Sequence, residues 1–415
     1  MSLTEVDATD SDELKRIIRA GRLRTLFRPL VELESHRVLA YEALHTAEGS
    51  ELRDADRIRA AIRDSDMVGD LDAASRFFAL ETAGTLSLLP KTRIFIDAEI
   101  ESFATLEDRT NEADRSVVLQ LESSTLKTHP AQVLRAINQA RSLGWGIAMR
   151  GVGHDFASCA FLPLINPAVI CLHPSLLRQG PSRHVAEVIN LVTAHAERTG
   201  AVILADGISD SQGLSMARAL GAQLGRGDYF APSTATPTVP AAGLKDDVLR
   251  RHGSRNSSPH LSPYALAVGS LEPRRATKAL LIEISKSIEQ RALSLGSATI
   301  LLAGFQEAEY ITQETKERYR TLAEQLAMVV MVAGDLDEAP VPLTRGGPLD
   351  TSDPVRKEWT IVVIGPDWST LLAAHDLGDS GPENERRFDF ILTHDRLLAI
   401  DAARSLMSRI PAERN

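Results

Sequence analysis

Short, continuously apolar runs alternate with amphipathic stretches through the first half of the chain. The runs at 25–31, 93–97, 116–121, 145–149, 168–172, 201–205 and 223–224 predict strands. Between them, apolar residues recur at helical spacing near 52–65, 70–88, 130–143, 175–178, 184–198 and 211–220. Apolar strands separated by helices imply βα units and a mainly parallel sheet covered on both faces. Such a series of units between about residue 11 and residue 232 fits a TIM-like (β/α) barrel. An open doubly wound sheet is the nearest alternative, but its G-x-G-x-x-G turn is absent.

Residues 233–262 read as a linker, rich in Pro, Ser, Thr and charge, with a short helix predicted at 244–249. Beyond them lies a second, smaller α/β pattern over 263–410. It predicts strands at 264–268, 298–303, 327–332, 359–364 and 388–392, and helices at 276–293, 314–326, 367–373 and 396–408. The expected organisation is an N-terminal extension (1–20), a barrel (21–232), the linker (233–262) and a second domain (263–410).

Composition narrows the classes. A chain of 415 residues with 43% hydrophobic content is long enough for two cored domains. Its net charge of −10 argues against broad binding to nucleic acid or to an anionic membrane. Two cysteines, Cys159 and Cys171, make no disulfide framework, which suits a reducing compartment. The N-terminus lacks a signal-peptide pattern, and no apolar run approaches the roughly 18 residues of a spanning helix. A soluble, cytoplasmic protein is expected.

The motifs sharpen this. Phe27-Arg28-Pro29-Leu30 followed by Tyr41-Glu42-Ala43-Leu44 resembles the opening of an EAL domain, the cyclic-di-GMP phosphodiesterase family. The order and spacing of later segments agree over about residues 20–232. The resemblance implies a barrel whose carboxylates hold two divalent cations, Mg²⁺ or Mn²⁺, and it locates those positions here. Glu42 keeps the acid of the naming motif, and Asp97 stands where the family has a ligating Asn. Gln120 stands in place of a ligating Glu, with Glu122 two residues on. Arg150-Gly151 replaces the bridging Asp-Asp pair. Cys171 and His173 replace a Lys-x-Asp. Asp206 keeps a charge on a shorter arm where the family has Glu, and Ser209 replaces a second acid. Arg226-Gly227 occurs where the family has Gln-Gly.

Two-metal hydrolysis needs cations about 3.5–4 Å apart, clamped by shared carboxylates. A guanidinium about 4 Å from a dication costs on the order of 8 kcal/mol at an effective dielectric near 20. The expectation is therefore a catalytically inactive, sensory or regulatory EAL-type protein with no cofactor. An active or residual phosphodiesterase using Mg²⁺ or Mn²⁺ is the alternative, with Glu42, Asp97 and Asp206 as remaining oxygen donors. The family grips its dinucleotide partly with a Gln and an Arg whose places are taken by Arg28 and Thr46. Arg28, Glu42, Arg150 and Arg226 are candidate ligand-binding residues, because guanidinium forks suit phosphate. The plainer reading pairs the arginines with Glu42, Asp97, Asp206 and Glu122 as a salt-bridge network in place of metals. Cys171 and His173 share a strand face and, with His154 or Asp206, would suit zinc, but Arg150 opposes a cation there, and a buried thiol with a hydrogen-bonded histidine is the reading preferred.

Glu272-Pro273-Arg274-Arg275, Ala303-Gly304-Phe305-Gln306, the run from Trp359 to Pro366 and the run from Arg387 to Asp395 are similar to a DICT domain, a bacterial, notably actinobacterial, sensory module. The similarity implies signal input without naming a ligand. Aromatics Phe305, Tyr310, Trp359, Trp368, Phe388 and Phe390 line a pocket or form core, and Thr393 or Asp395 caps the last helix. Leu280, Leu281, Ile284, Ile288 and Leu293 form an apolar stripe that reads as core. The expected partners are cyclic-di-GMP or another nucleotide, a protein, and, as the barrel resemblance implies, a second copy of the chain. Neither nucleic acid nor a membrane is expected.

Overall fold

The computed structural model describes residues 8–47, 50, 54–63, 65, 67–89, 91–100, 102, 116–244, 261–380 and 382–413. Among them the chain forms two compact units. One draws on 1–123, 136–154 and 167–254, the other on 124–135, 155–166 and 255–415.

In the first unit eight strands close a barrel in sequence order. They are β1 (Leu23–Glu32), β2 (Val38–Ala47), β3 (Arg93–Asp97), β4 (Val117–Glu122), β5 (Gly146–Val152), β6 (Val169–Leu172), β7 (Val202–Asp206) and β8 (Leu224–Arg226). β1 runs antiparallel to both its neighbours, β2 and β8, and every other pair is parallel. The helices along this part of the chain are α1 (Ala8–Arg19), α2 (Ala55–Arg63), α3 (Val68–Thr85), α4 (Thr125–Thr128), α5 (Pro130–Ser142), α6 (Phe156–Ala160), α7 (Leu162–Ile165), α8 (Ser175–Arg178), α9 (Arg183–Thr199) and α10 (Ser211–Ala219).

The pattern reading located seven of these strands and missed β2. That segment carries the Tyr41-Glu42-Ala43-Leu44 motif, and its half-buried sequence pairs with β1 in a two-strand ladder from Leu23↔Ala47 to Val31↔Val38. The stretch expected as an N-terminal extension contains α1, whose Leu14 and Ile17 are fully buried against Ile58, Ile62 and Leu71. The predicted linker follows the barrel as far as residue 244: Phe27 and Thr234 form a β-bridge, and the Tyr41 hydroxyl donates to the Thr238 carbonyl at 2.9 Å. Most of the predicted helix at 244–249, with the rest of the linker up to residue 260, lies outside the described residues.

The second unit is built on a seven-stranded sheet, in order β12-β11-β10-β13-β14-β15-β9. Its strands are β9 (Arg274–Thr277), β10 (Ile300–Glu307), β11 (Met328–Gly334), β12 (Arg345–Leu349), β13 (Glu358–Ile364), β14 (Ser369–Asp376) and β15 (Arg387–Thr393). Its later helices are α11 (Pro263–Val268), α12 (Lys278–Leu295), α13 (Gln313–Gln325) and α14 (Arg396–Met407). Two sequence expectations are overturned here. The run at 264–268 is helical because Ser262 caps it, accepting from the Ala265 N–H at 3.3 Å, and Pro263 suits the first helical position. The run at 367–373 is strand: it lies between β13 and β15 with Ser369 to Ala374 buried, and this placement overrides the helix preference of Leu and Ala. β9 and β12 were not predicted. Both are short edge strands, one polar and one carrying Gly346, Gly347 and Pro348.

Phe388 and Phe390 are core, and Phe305, Trp359 and Trp368 pack on it. Tyr310 stays 39% exposed, with Lys278 Nζ 5.3 Å from its ring centre. The stripe on α12 is buried at Leu281 and Ile288, but Leu280 falls outside it at 51% exposure. Asp395 caps α14, accepting from the N–H groups of Leu397 and Leu398 at 2.9 and 3.1 Å. Among the described residues no helix is long and apolar enough to cross a membrane.

Glu358, at the start of β13, is buried and accepts the Tyr264 N–H of α11 at 3.0 Å. Burial pushes its carboxyl from the ordinary 4.5 up to about 7. A raised folded-state value means the stabilising proton is fully present below 4.5 and is lost as pH rises through 7. Stability therefore falls across that interval and levels above it. Relative to Glu358→Gln, the wild type should lose up to about 3 kcal/mol between the two limits. Urea unfolding of both proteins over the pH series checks this; parallel profiles would refute it.

Candidate functional site

The ring positions singled out from the sequence lie on neighbouring barrel strands, toward their C-terminal ends, as barrel chemistry usually does. Strand pairing brings them together. Register sets Arg28 opposite Glu42, Asp97 beside Gln120, and Asp206 beside Arg226. Directly opposed residues carry their side chains on one face, about 5 Å apart, so each acid meets a cationic or amide partner on the next strand.

Arg226 sits at the centre with no exposed surface. Its Nη1 donates to Glu42 Oε1 at 2.8 Å and to Gln120 Oε1 at 2.9 Å, and its Nη2 donates to Asp206 Oδ2 at 2.6 Å. Gln120 turns its amide nitrogen the other way, donating to Glu42 Oε1 and Asp97 Oδ1, each at 3.0 Å. A glutamate at 120 would place a third charge beside Glu42 and Asp97; the amide instead donates to both. Arg28 Nε reaches Glu42 Oε2 at 2.8 Å, and Arg150 Nη1 reaches Asp97 Oδ1 at 2.8 Å. Arg59 Nη2 completes the set on Asp97 Oδ2 at 2.6 Å.

Arg59 was not anticipated. It comes from α2, and the available signal was a charged residue within the face that carries Ile58 and Ile62. Glu122 was expected in the network, and the strand register does place it opposite Arg150. Among the described residues it makes no salt bridge. The Arg150 guanidinium goes to Asp97, while a Cβ added at Gly151 would lie 2.0 Å from Glu122 Oε1. Gly151 also has φ +72°, a conformation that L side chains rarely adopt.

The electrostatics follow from this geometry. Burial alone would raise the Glu42, Asp97 and Asp206 carboxyls. Arg226 and Arg28 override it at Glu42, Arg150 and Arg59 at Asp97, and Arg226 at Asp206, so all three are held below the usual carboxylate range. Arg226 is desolvated, yet Asp206 and Glu42 keep it firmly charged. Burial pushes the Cys171 thiol up to about 12, so it stays protonated.

A metal does not fit these residues. A carboxylate offers about four lone-pair positions. Glu42 uses two on Oε1, for Gln120 and Arg226, and two on Oε2, for Nε and Nη2 of Arg28. A cation would have to displace a guanidinium from a buried acid. The plainer reading of Cys171 and His173 fits the geometry: His173 Nδ1 lies 2.8 Å from Ser175 Oγ, its ring is tilted against that of His154 with centres 4.6 Å apart, and Cys171 packs among apolar barrel residues. Among the described residues no group of three or more His, Cys, Asp or Glu side chains is placed to hold a metal ion.

Arg226→Met should cost about 3–5 kcal/mol, because it leaves Glu42 and Asp206 buried beside a missing charge. The three lowered carboxyls contribute stability that is complete above their ordinary values of 4.5 and 3.8 and is lost as pH falls below them. The acid limb of the wild-type stability profile should therefore be steeper than that of Arg226→Met. Denaturant titrations from pH 7 down to about pH 3 read both effects.

Comparison with known proteins agrees with the barrel geometry. Residues 11–233 match the family model of the EAL domain, and residues 260–377 match that of DICT, the sensory domain in diguanylate cyclases and two-component systems. No curated protein matches the chain. Among solved structures it is similar to the EAL enzyme Bd1971 in its cAMP- and cyclic-di-GMP-bound form, at 18% identity and TM-score 0.47, covering 54% of this chain and 65% of that one. The chain thus spans just under two thirds of that relative. It is also similar to the Xanthomonas citri FimX EAL domain in complex with c-diGMP, at 17% identity and TM-score 0.46, covering 56% of this chain and 100% of that one. A third is Klebsiella pneumoniae BlrP1 in a manganese/cy-diGMP complex, at 20% identity and TM-score 0.44, covering 51% and 56%. The EAL match takes in more than half of the chain, and the chain belongs to the EAL family, with a DICT sensory domain following its EAL barrel.

Proposed function

We propose that this chain is a non-hydrolytic EAL signalling protein that acts by binding, with the DICT domain as its sensory input. The observation that carries the reading is the fully buried Arg226 guanidinium between Glu42 and Asp206, two of the acids a cation would use. Hydrolysis through paired metals needs those oxygens free.

Binding of an anion is supported by the gathering of Arg28, Arg59, Arg150 and Arg226 around Glu42, Asp97 and Asp206. Arg28 and Arg150 keep 26% and 17% of their side chains exposed, enough to meet a phosphate at the barrel mouth. Cyclic-di-GMP, the dinucleotide handled by the family, is the first ligand to test, without metal. The output passes to a protein partner or to a second copy of the chain, in the cytoplasm.

Residual phosphodiesterase activity with Mg²⁺ or Mn²⁺ is the second reading, and it rests on the oxygen donors Glu42, Asp97 and Asp206. The purified protein should yield no linear dinucleotide from cyclic-di-GMP with either metal. Calorimetry should give the same binding heat with and without chelator, and Arg28→Ala should weaken binding about tenfold or more. Linear product that disappears in Glu42→Ala would overturn the non-hydrolytic reading. Absence of heat would remove the nucleotide and leave the protein partner.

A further inference from the structure

Three arginines tie α2 to its surroundings. Arg57 forks onto Asp10 of α1, Nε to Oδ2 at 2.7 Å and Nη2 to Oδ1 at 2.9 Å. Arg59 reaches Asp97 and Arg63 reaches Glu99, each at 2.6 Å. Arg59 and Arg63 are one turn apart and share the face toward the end of β3, whereas Arg57, two residues before Arg59, falls on another side. Ile58, Ala61 and Ile62 pack with Leu14 and Ile17 of α1. An ion pair and apolar packing thus join α1 to α2. The Arg63 pair is largely exposed and contributes little, so Arg59 is the stronger tie from these helices to β3.

The ring is not uniform in depth. Arg226 and Glu42 have no exposed surface, while Asp97 and Arg59 keep 19% and 14% of their side chains exposed, close to the value for Arg150. Asp97 is held three times, by Arg150 and the Gln120 amide on Oδ1 and by Arg59 on Oδ2. Two donors remain to it when Arg59 leaves. Arg226 has no such latitude, because it holds both Glu42 and Asp206. The exchangeable contact of the ring is therefore the one that α2 supplies. A phosphate competes for it on equal chemical terms, as an anionic oxygen acceptor that a guanidinium fork grips.

We infer that Arg59 is a ligand-binding residue delivered to the barrel mouth by α2, an inference that rests on the anion-binding reading. When a phosphate binds, Arg59 exchanges Asp97 for a phosphate oxygen, Asp97 keeps Arg150 and Gln120, and α1 and α2 follow Arg59. The two states differ in the partner of one guanidinium. That difference is the contact a ligand needs in order to shift a conformational equilibrium. Occupancy of the ring is thereby read on the outer helices of the barrel.

The test uses the full-length protein with cyclic-di-GMP as the probe, without metal. Calorimetry reads affinity, and amide hydrogen exchange reads the helices. In the wild type the ligand should change exchange in α1 and α2 about threefold or more. Arg59→Met should weaken binding about tenfold and remove that change at saturation, and Arg59→Lys, which keeps the charge without the fork, should fall between. If Arg59→Met does not fold, the comparison is made with Arg59→Lys. Asp97→Asn removes the internal competitor and should tighten binding about threefold, with no gain in the Arg59→Met background. A role confined to holding the fold predicts weaker binding in Asp97→Asn. Unchanged affinity in the Arg59 variants, or an equal gain from Asp97→Asn with and without Arg59, overturns the inference and leaves the anion-binding reading standing. Binding with no change in α1 and α2 exchange overturns the transmission to the helices. Absence of heat in both the wild type and Asp97→Asn overturns the inference together with the reading it rests on.

Discussion

A guanidinium with no exposed surface has to be surrounded by oxygen, and Arg226 makes that demand of the whole barrel mouth. Glu42, Gln120 and Asp206 meet it at the two terminal nitrogens, from β2, β4 and β7, while Nε has no hydrogen-bond partner among the described residues. Once Glu42 is committed to Arg226, its second oxygen is free for Arg28, and the Gln120 amide can donate outward to Asp97. Asp97 in turn fixes Arg150 and Arg59. Each member is held by at least one other, so the arrangement is a connected unit. Buried ion pairs do not as a rule add much net stability over apolar packing, but a broken one is strongly destabilising. The network is therefore better understood as fixing one arrangement of the strands' inner faces than as a source of extra stability.

The barrel was legible because its strands are apolar on both faces and its helices amphipathic, so two periods alternate cleanly. The ring positions came from the resemblance to the family's motifs, and the strand pairing sets them on neighbouring strands. Two things were hidden. Arg59 reaches the ring from a helix, and no strand-based reading places it there. Glu122 shares the ring's face in the sequence pattern, but the glycine next to Arg150 gives its carboxylate somewhere else to lie. Such details depend on side-chain reach, which the alternation of apolar and polar positions does not encode.

The second unit was read less well, for reasons that are equally physical. A five-residue apolar run is compatible with strand or helix, and at 263–268 the outcome turned on Ser262 and Pro263 immediately before it. At 369–376, Leu and Ala favour a helix in isolation, yet a central place in the sheet decides otherwise. β9 and β12 carry arginine, glycine and proline, the residues that make edge strands poor partners for further pairing and also make them hard to recognise. Of the aromatic residues, Phe388 and Phe390 fill this unit's core, and Phe305, Trp359 and Trp368 pack against it.

Gly151 ties one position of β5 to a side chain on β4. An aspartate there would bring its Cβ within 2.0 Å of the Glu122 carboxylate, on a backbone whose φ of +72° already disfavours a side chain. A side chain at 151 would therefore need both the Glu122 carboxylate to swing aside and the local backbone to leave its left-handed conformation, so what this position can hold is decided on β4 as much as on β5.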